Sequence, residues 1–443
     1  MPRKNYIVVL TLLALLATVT ASTAKQSGSA VEQFQSLQSE LRKSYTANDW
    51  HSFLVSATKL KELLNDAPDS LLEVARAEVR LGDLNATVRQ LQQFVRMGQS
   101  TDVIATLTDF SALRQDASFA KIQSGMEANR TPISLGSTAF LMSDPGLLAE
   151  DVDYDPHIKR FFITSVREKK IVSTDGAGTS TDFAKAPDDW PMLAVKVDPS
   201  RGVVWATEVA IQGFSAIPES DWGRSAVLCY DARTGKLLRR IEGPRQSALG
   251  DMVLTIQGDV IVSDGNGGGV YRVPASAATN SGASSTTNSA IMERLDDGDF
   301  ISPQTPAMYP DGKRIFVPDY VRGIGVLDIA TKSVHWLLHE GKFALNGIDG
   351  LSFDRGRLIA VQNGTSPERV VAFTLDPSFT KIVSETIIER STGTLGDPTH
   401  GVVIDQDFYY IANSGWDITD AHGDLKPGAK PSAPRIMRVH MTA

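Results

Sequence analysis

Six positions carry the strongest chemical signal in this chain: Glu150, Leu193, Gly250, Gln304, Asp349 and His400. Each stands at the head of a short apolar strand pattern that runs into a polar turn, as in "AEDVDYDP", "MLAVKVDP", "GIDGLSFDRG" and "THGVVIDQD". Four of the six can ligate a metal or move a proton. Two carboxylates and an amide oxygen suit a hard, oxygen-seeking cation, Ca²⁺ or Mg²⁺, so Glu150, Gln304 and Asp349 are candidate metal ligands. Such a cation polarises a carbonyl or phosphoryl oxygen. His400 beside it is a candidate general base or substrate-positioning group, and Asp349 shares the catalytic assignment. Asp251, next to Gly250, is out of phase by strand alternation and points to the other face.

These residues can meet only if their strands converge. From about Gly136 the chain alternates short strands with turn residues. The pattern recurs six times, with second strands such as "RFFITSV", "GVVWATEV", "RIFVPDY" and "FYYIANSG". Six three- or four-stranded sheets arranged radially bury their faces against one another, which is a six-bladed β-propeller over 136–443. Its innermost strands line a central channel, so the six heads share one axis. The last strand, "RIMRVHM", needs an outer neighbour, and "STAFLMS" at 137–143 supplies one from the other end of the domain.

Residues 31–128 read as helix, with apolar residues at spacings of three and four. Asn48-Asp49 and Gly82-Asp83 punctuate it at a 34-residue offset, the tetratricopeptide period. The fold class is therefore mainly β, preceded by a small all-α tetratricopeptide-like region. That arm reads either as a groove for a protein partner or as a spacer.

The residues up to 24 combine Arg3 and Lys4, an apolar run and a small-residue end, the pattern of a cleaved signal peptide. An uncleaved anchor is the alternative. The expected location is secreted or periplasmic, with no stable membrane span after cleavage. A single cysteine, Cys229, precludes an intramolecular disulfide, and its strand context marks it as an inert core residue. The formal net charge of −8 argues against nucleic acid as a partner. His335 and His339 lie in a strand-like context and read as a solvent-facing pair. Glu208 reads as an exposed loop acid. Trp416 is a candidate pocket wall or blade-edge cover. The low-complexity stretch 275–290 reads as an insertion between blades.

Over about 140–440, "LLAEDVDYDP", "TPAMYPDGKRIFVPDY" and "GIDGLSFDRGRLIAV" resemble the senescence-marker-protein, gluconolactonase and luciferin-regenerating-enzyme superfamily, with paraoxonase-like and phosphotriesterase-like propellers as cousins. The resemblance implies a calcium-dependent hydrolase of lactones or phosphotriesters. It implies a metal held by a first-blade glutamate, middle-blade asparagines and a later aspartate. The glutamate falls on Glu150 and the aspartate on Asp349. The asparagines fall on Gly250, which has no side-chain ligand, and on Gln304, which has a longer arm. His400 matches a sixth-blade histidine of some cousins. The expected function is a divalent-metal-dependent hydrolase of lactones or related small esters. The rival is a non-catalytic binding or interaction scaffold, and a third reading is a sensor that holds a ligand in the channel without turnover.

Overall fold

A computed structural model describes residues 28–177, 179–278 and 291–441. The signal-like segment and most of the low-complexity stretch lie outside these residues.

Six antiparallel sheets follow one another along the chain, each a meander of neighbouring strands. Their inner strands are Ala149–Asp155, Met192–Asp198, Leu249–Leu254, Ala307–Met308, Ile348–Asp354 and Gly401–Ile404. The sequence dictates the second strands directly. "VVWATEV" and "RIFVPD" are runs of β-branched and apolar residues, and they are buried on both faces. Aspartates set several turns. Asp155, Asp231, Asp328 and Asp376 each accept backbone N–H bonds from residues two to five places on, which fixes the bend locally.

The ring is held by apolar layers between successive blades. Phe162, Ile171, Val195 and Leu228 join blades one and two. Trp205, Cys229, Met252 and Val262 join two and three. Phe300, Ile315 and Val270 join three and four. Phe316, Leu351 and Phe373 join four and five, and Val370, Ile388, Phe408 and Met437 join five and six. The layer of Phe140, Val152, Phe161 and Ile436 closes six onto one. Ser137–Leu141 is the outer strand of blade six, paired antiparallel to Arg435–His440, as the sequence predicts. An unforeseen addition is Ile133–Ser134, a fifth strand on the outside of blade five. Cys229 is fully buried, and burial pushes its thiol up to about 12, so it is an inert core group.

The arm is six helices: α1 (Ala30–Thr46), α2 (Trp50–Leu63), α3 (Pro68–Arg80), α4 (Leu84–Arg96), α5 (Val103–Thr106) and α6 (Ser118–Asn129). Ser29 and Glu32 form a capping box on α1. Asp49 and Asp83, at matching places in the two helical hairpins, cap α2 and α4 by accepting from Ser52 N and Ala86 N. Among the described residues no helix is long and apolar enough to cross a membrane.

The arm does not stand free. Ile301 and Val321 of blade four pack with Phe34, Trp50, Phe53 and Leu60, and Ala344 joins Leu71, Phe94 and Met97. Ala30 N donates to Gly298 O (2.9 Å) and Ser100 N to Ser366 O (2.6 Å). His339, read from sequence as solvent-facing, meets Asn65 O at 3.0 Å and belongs to this seam, whereas His335 is exposed. All these propeller residues lie in loops before an inner strand or between second and third strands. The arm therefore covers the channel-mouth face over blades four and five.

Arg369 locks that seam. It is fully buried, and its Nε donates to Gln362 Oε1 (2.7 Å). A Cβ on Gly98, whose φ is +77°, would come within 2.8 Å of Arg369 Nη1. Gly98→Ala is therefore expected to cost about 1–2 kcal/mol through a strained backbone and a displaced guanidinium. Hydrogen exchange should show faster opening of α4 and the loop after it, with the blades unchanged.

Candidate functional site at the channel head

The inner strands of blades one, two, three and five share a β-bulge at their heads. The register slips between Ala149 and Val152, Met192 and Val195, Leu249 and Asp251, and Ile348 and Gly350. A bulge re-aims side chains and interrupts the ladder. Spare N–H groups at the bulges of blades one and two, on Asp151 and Ala194, are taken by the hydroxyls of Thr164 (2.9 Å) and Thr207 (3.0 Å).

The bulges of blades one and five carry Glu150 and Asp349 to His400, which precedes the unbulged inner strand of blade six, and one ligand atom from each lies within 4.8 Å of the others. All three are buried. Glu150 Oε2 accepts from Trp416 Nε1 at 2.5 Å, so Trp416 is a wall of this site. Asp349 Oδ2 accepts from Asn363 Nδ2 (2.7 Å), and Asn363 Oδ1 accepts from the Tyr320 hydroxyl (2.9 Å).

Asp251 corrects the expectation from strand alternation. The slip at Leu249 turns it inward, where its Oδ1 meets His400 Nε2 (2.6 Å) and accepts from Thr305 Oγ1 (2.6 Å). Gln304 stands at the expected register, since Pro303 bridges Asp319 much as Ala149 pairs with Ser165. Its amide nitrogen, however, turns back onto Ser302 O (3.3 Å) and Oγ (3.2 Å). Thr305 is the blade-four side chain hydrogen-bonded into the cluster.

His400 Nδ1 lies 2.6 Å from the Glu150 carbonyl, which can only accept, so Nδ1 carries a proton. Nε2 faces a carboxylate. Burial opposes charge on this ring, but Asp349 and the bond to Asp251 outweigh it and hold the imidazole pKa well above its usual value. The group is an imidazolium with both nitrogens engaged. Burial pushes Asp349 up to about 6, with His400 opposing and Asp251 adding. Burial also raises Glu150 well above the usual carboxylate range, and Asp349 adds to it.

Lys196 from blade two joins the same axis. Its Nζ is 2.5 Å from Asp151 Oδ2, and Asp153 Oδ2 accepts from Val197 N at 2.7 Å. Five acids (Glu150, Asp151, Asp153, Asp251 and Asp349) thus face two cations, Lys196 and His400. Glu208, read from sequence as an exposed acid, is fully buried and paired with Arg240 Nε at 3.0 Å, away from this cluster.

This donor set fits a divalent cation. The acids outnumber the cations, and Glu150 and Asp349 each have one oxygen fixed by a side-chain N–H. With His400 held by Glu150 O and Asp251, the direct donors are oxygens, which favours Ca²⁺ or Mg²⁺ over zinc.

No family model matches the chain, and no curated protein is similar to it. Solved structures that overlay on it include a gluconolactonase from Xanthomonas campestris at 13% identity, covering 68% of this chain and 88% of that one, with a TM-score of 0.45. A luciferin-regenerating enzyme overlays at 12% identity, covering 70% and 98%, with a TM-score of 0.47. A calcium-binding regucalcin from Agrobacterium tumefaciens overlays at 14% identity, covering 70% and 96%, with a TM-score of 0.44.

Proposed function

We propose that the channel head is the centre of a divalent-cation-dependent hydrolase of lactones or related small esters, in an exported protein, secreted or periplasmic. The observation that carries this reading is the convergence of the Glu150 and Asp349 carboxylates with His400. Glu150 and Asp349 would hold the cation, and Gln304 would join them only by turning its amide oxygen inward. Bound there, the cation supplies Lewis acidity toward a carbonyl oxygen. Trp416 and Asn363 orient the two carboxylates. His400, which must shed a proton and leave Asp251 before it can act as a base, serves better as a fixed positive charge. Asp349, facing it, is the better proton acceptor for water.

The test is metal analysis of the purified full chain, then turnover on a lactone panel before and after passage over chelating resin. Bound calcium and resin-sensitive turnover restored by calcium are expected. Glu150→Gln should weaken metal binding at least about tenfold, because it removes one of two charged ligands. A protein without metal and without resin-sensitive turnover would overturn the reading. It would favour non-catalytic ligand binding instead, a role that the double engagement of His400 also supports.

A further inference from the structure

Beside the channel head lies a cavity of about 110 Å³ over the first blade. That is room for several water molecules, or a short organic chain. Its floor holds Leu148 and Arg167, and its roof is a pair of loops, 213–217 from blade two and 419–424 from blade six. The loops interlock: Ser215 N donates to His422 O (2.9 Å), and Ser215 Oγ donates to Asp424 Oδ2 (2.8 Å). Phe214 of the roof packs on Trp416 with ring centroids 6.3 Å apart, and Trp416 in turn holds Glu150.

Arg167 is the unusual group here. Its Nη1 donates to Gly146 O (3.1 Å) and its Nη2 to Thr419 Oγ1 (2.9 Å), both uncharged. Its Nε–H is buried without an acceptor. No carboxylate among the described residues lies within ion-pair distance of it. Lys169 adds a second cation to the wall, paired only with the exposed Asp189 (2.6 Å). Asp424, the wall's one carboxylate, is turned to Ser215. The neighbouring Glu168 is engaged by Lys170 (2.5 Å) and acts on Arg167 only from beyond ion-pair distance. A half-buried guanidinium with no carboxylate in contact, in a small cavity that Leu148, Val166, Pro191 and Ile217 also wall, is matched by an anion with a short apolar tail.

We propose that this cavity is a subsite for the carboxylate of a small organic acid, with Arg167 as its recognition group. The inference does not rest on the hydrolase reading. The test is calorimetry on full-length protein stripped with chelating resin, with sodium 4-hydroxybutanoate and sodium hexanoate as probes and methyl hexanoate as the uncharged control. The carboxylates should bind and the ester at least about tenfold more weakly, the usual scale of a charge-assisted bond. Arg167→Gln should lose binding by a similar factor. Ala216→Phe, at an exposed roof position that lines the cavity, adds a ring at its rim and should weaken binding without unfolding the protein. Absence of carboxylate binding to the stripped wild type, or wild-type affinity in Arg167→Gln, would overturn the subsite. Carboxylate binding that appears only after calcium is restored would also overturn it, by placing the anion at Glu150 and Asp349.

Discussion

Replacing His400 with alanine is expected to destabilise the metal-free protein by about 3–5 kcal/mol, the scale for breaking a buried ion pair by removing one partner. The loss is more than a cavity. His400 is 2% exposed and is the cation facing Asp251, Asp349 and Glu150 at the channel head. Without it, Asp251 loses a 2.6 Å charged partner and retains the Thr305 hydroxyl, while the Glu150 carbonyl loses its donor. Chemical denaturation measures the loss. The double variant His400→Ala/Asp251→Asn separates charge from packing. If uncompensated negative charge is the main cost, removing Asp251's charge should recover a substantial part of it, a negative coupling typical of neighbours in one network. A His400→Ala protein as stable as wild type would show instead that the imidazole is a loosely held base, and the assignment of a fixed cation would fail.

The same pair shows which parts of the molecule are legible in the sequence. The propeller is, because its signal is a recurrence: second strands such as "VVWATEV" and "RIFVPD" must be buried on both faces, and only neighbouring blades can bury them. Ring closure by "STAFL" follows from counting strands in the last blade. Glu150, Asp349 and His400 were legible for a related reason, each falling at one phase of the repeat. Asp251 was not, because strand alternation is the rule that assigns faces, and a bulge at Leu249 suspends it locally. Nothing in "ALGDMVL" marks a bulge except Gly250, and a glycine there has several readings. Asn363 and Tyr320 escaped for another reason. They sit just after second strands, in loops that recurrence does not align, and only the folded ring carries them to Asp349. The arm's helices were readable from their spacing, whereas its seat on the channel mouth depends on single residues such as Ile301 and Val321, which look like ordinary loop hydrophobics in the sequence.

The response to pH is expected to change sign with calcium. In the metal-free protein burial lifts Asp349 and Asp153 to about 6, Glu208 to about 7, and Glu150 well above its usual range. A carboxylate raised by folding binds its proton more tightly in the folded chain than in the unfolded one, so it favours the folded state at low pH. That advantage is lost as pH rises from the unfolded values near 4 through the folded ones. His400, also raised, acts in the same direction, since its contribution is present below about 6.5 and lost only at higher pH. Metal-free protein should therefore melt at a higher temperature at pH 5 than at pH 8, by several degrees, corresponding to about 1–3 kcal/mol. Calcium needs Glu150 and Asp349 ionised, so the stabilisation it gives should be small at pH 5 and grow through pH 6–7, reducing or reversing the slope. Thermal melts across this range, with and without calcium, measure both limbs. A metal-free curve that rises with pH would mean that these acids are not held as described. A calcium shift equal at pH 5 and pH 8 would place the ion away from Glu150 and Asp349, because only carboxylates that must first lose protons link the two titrations.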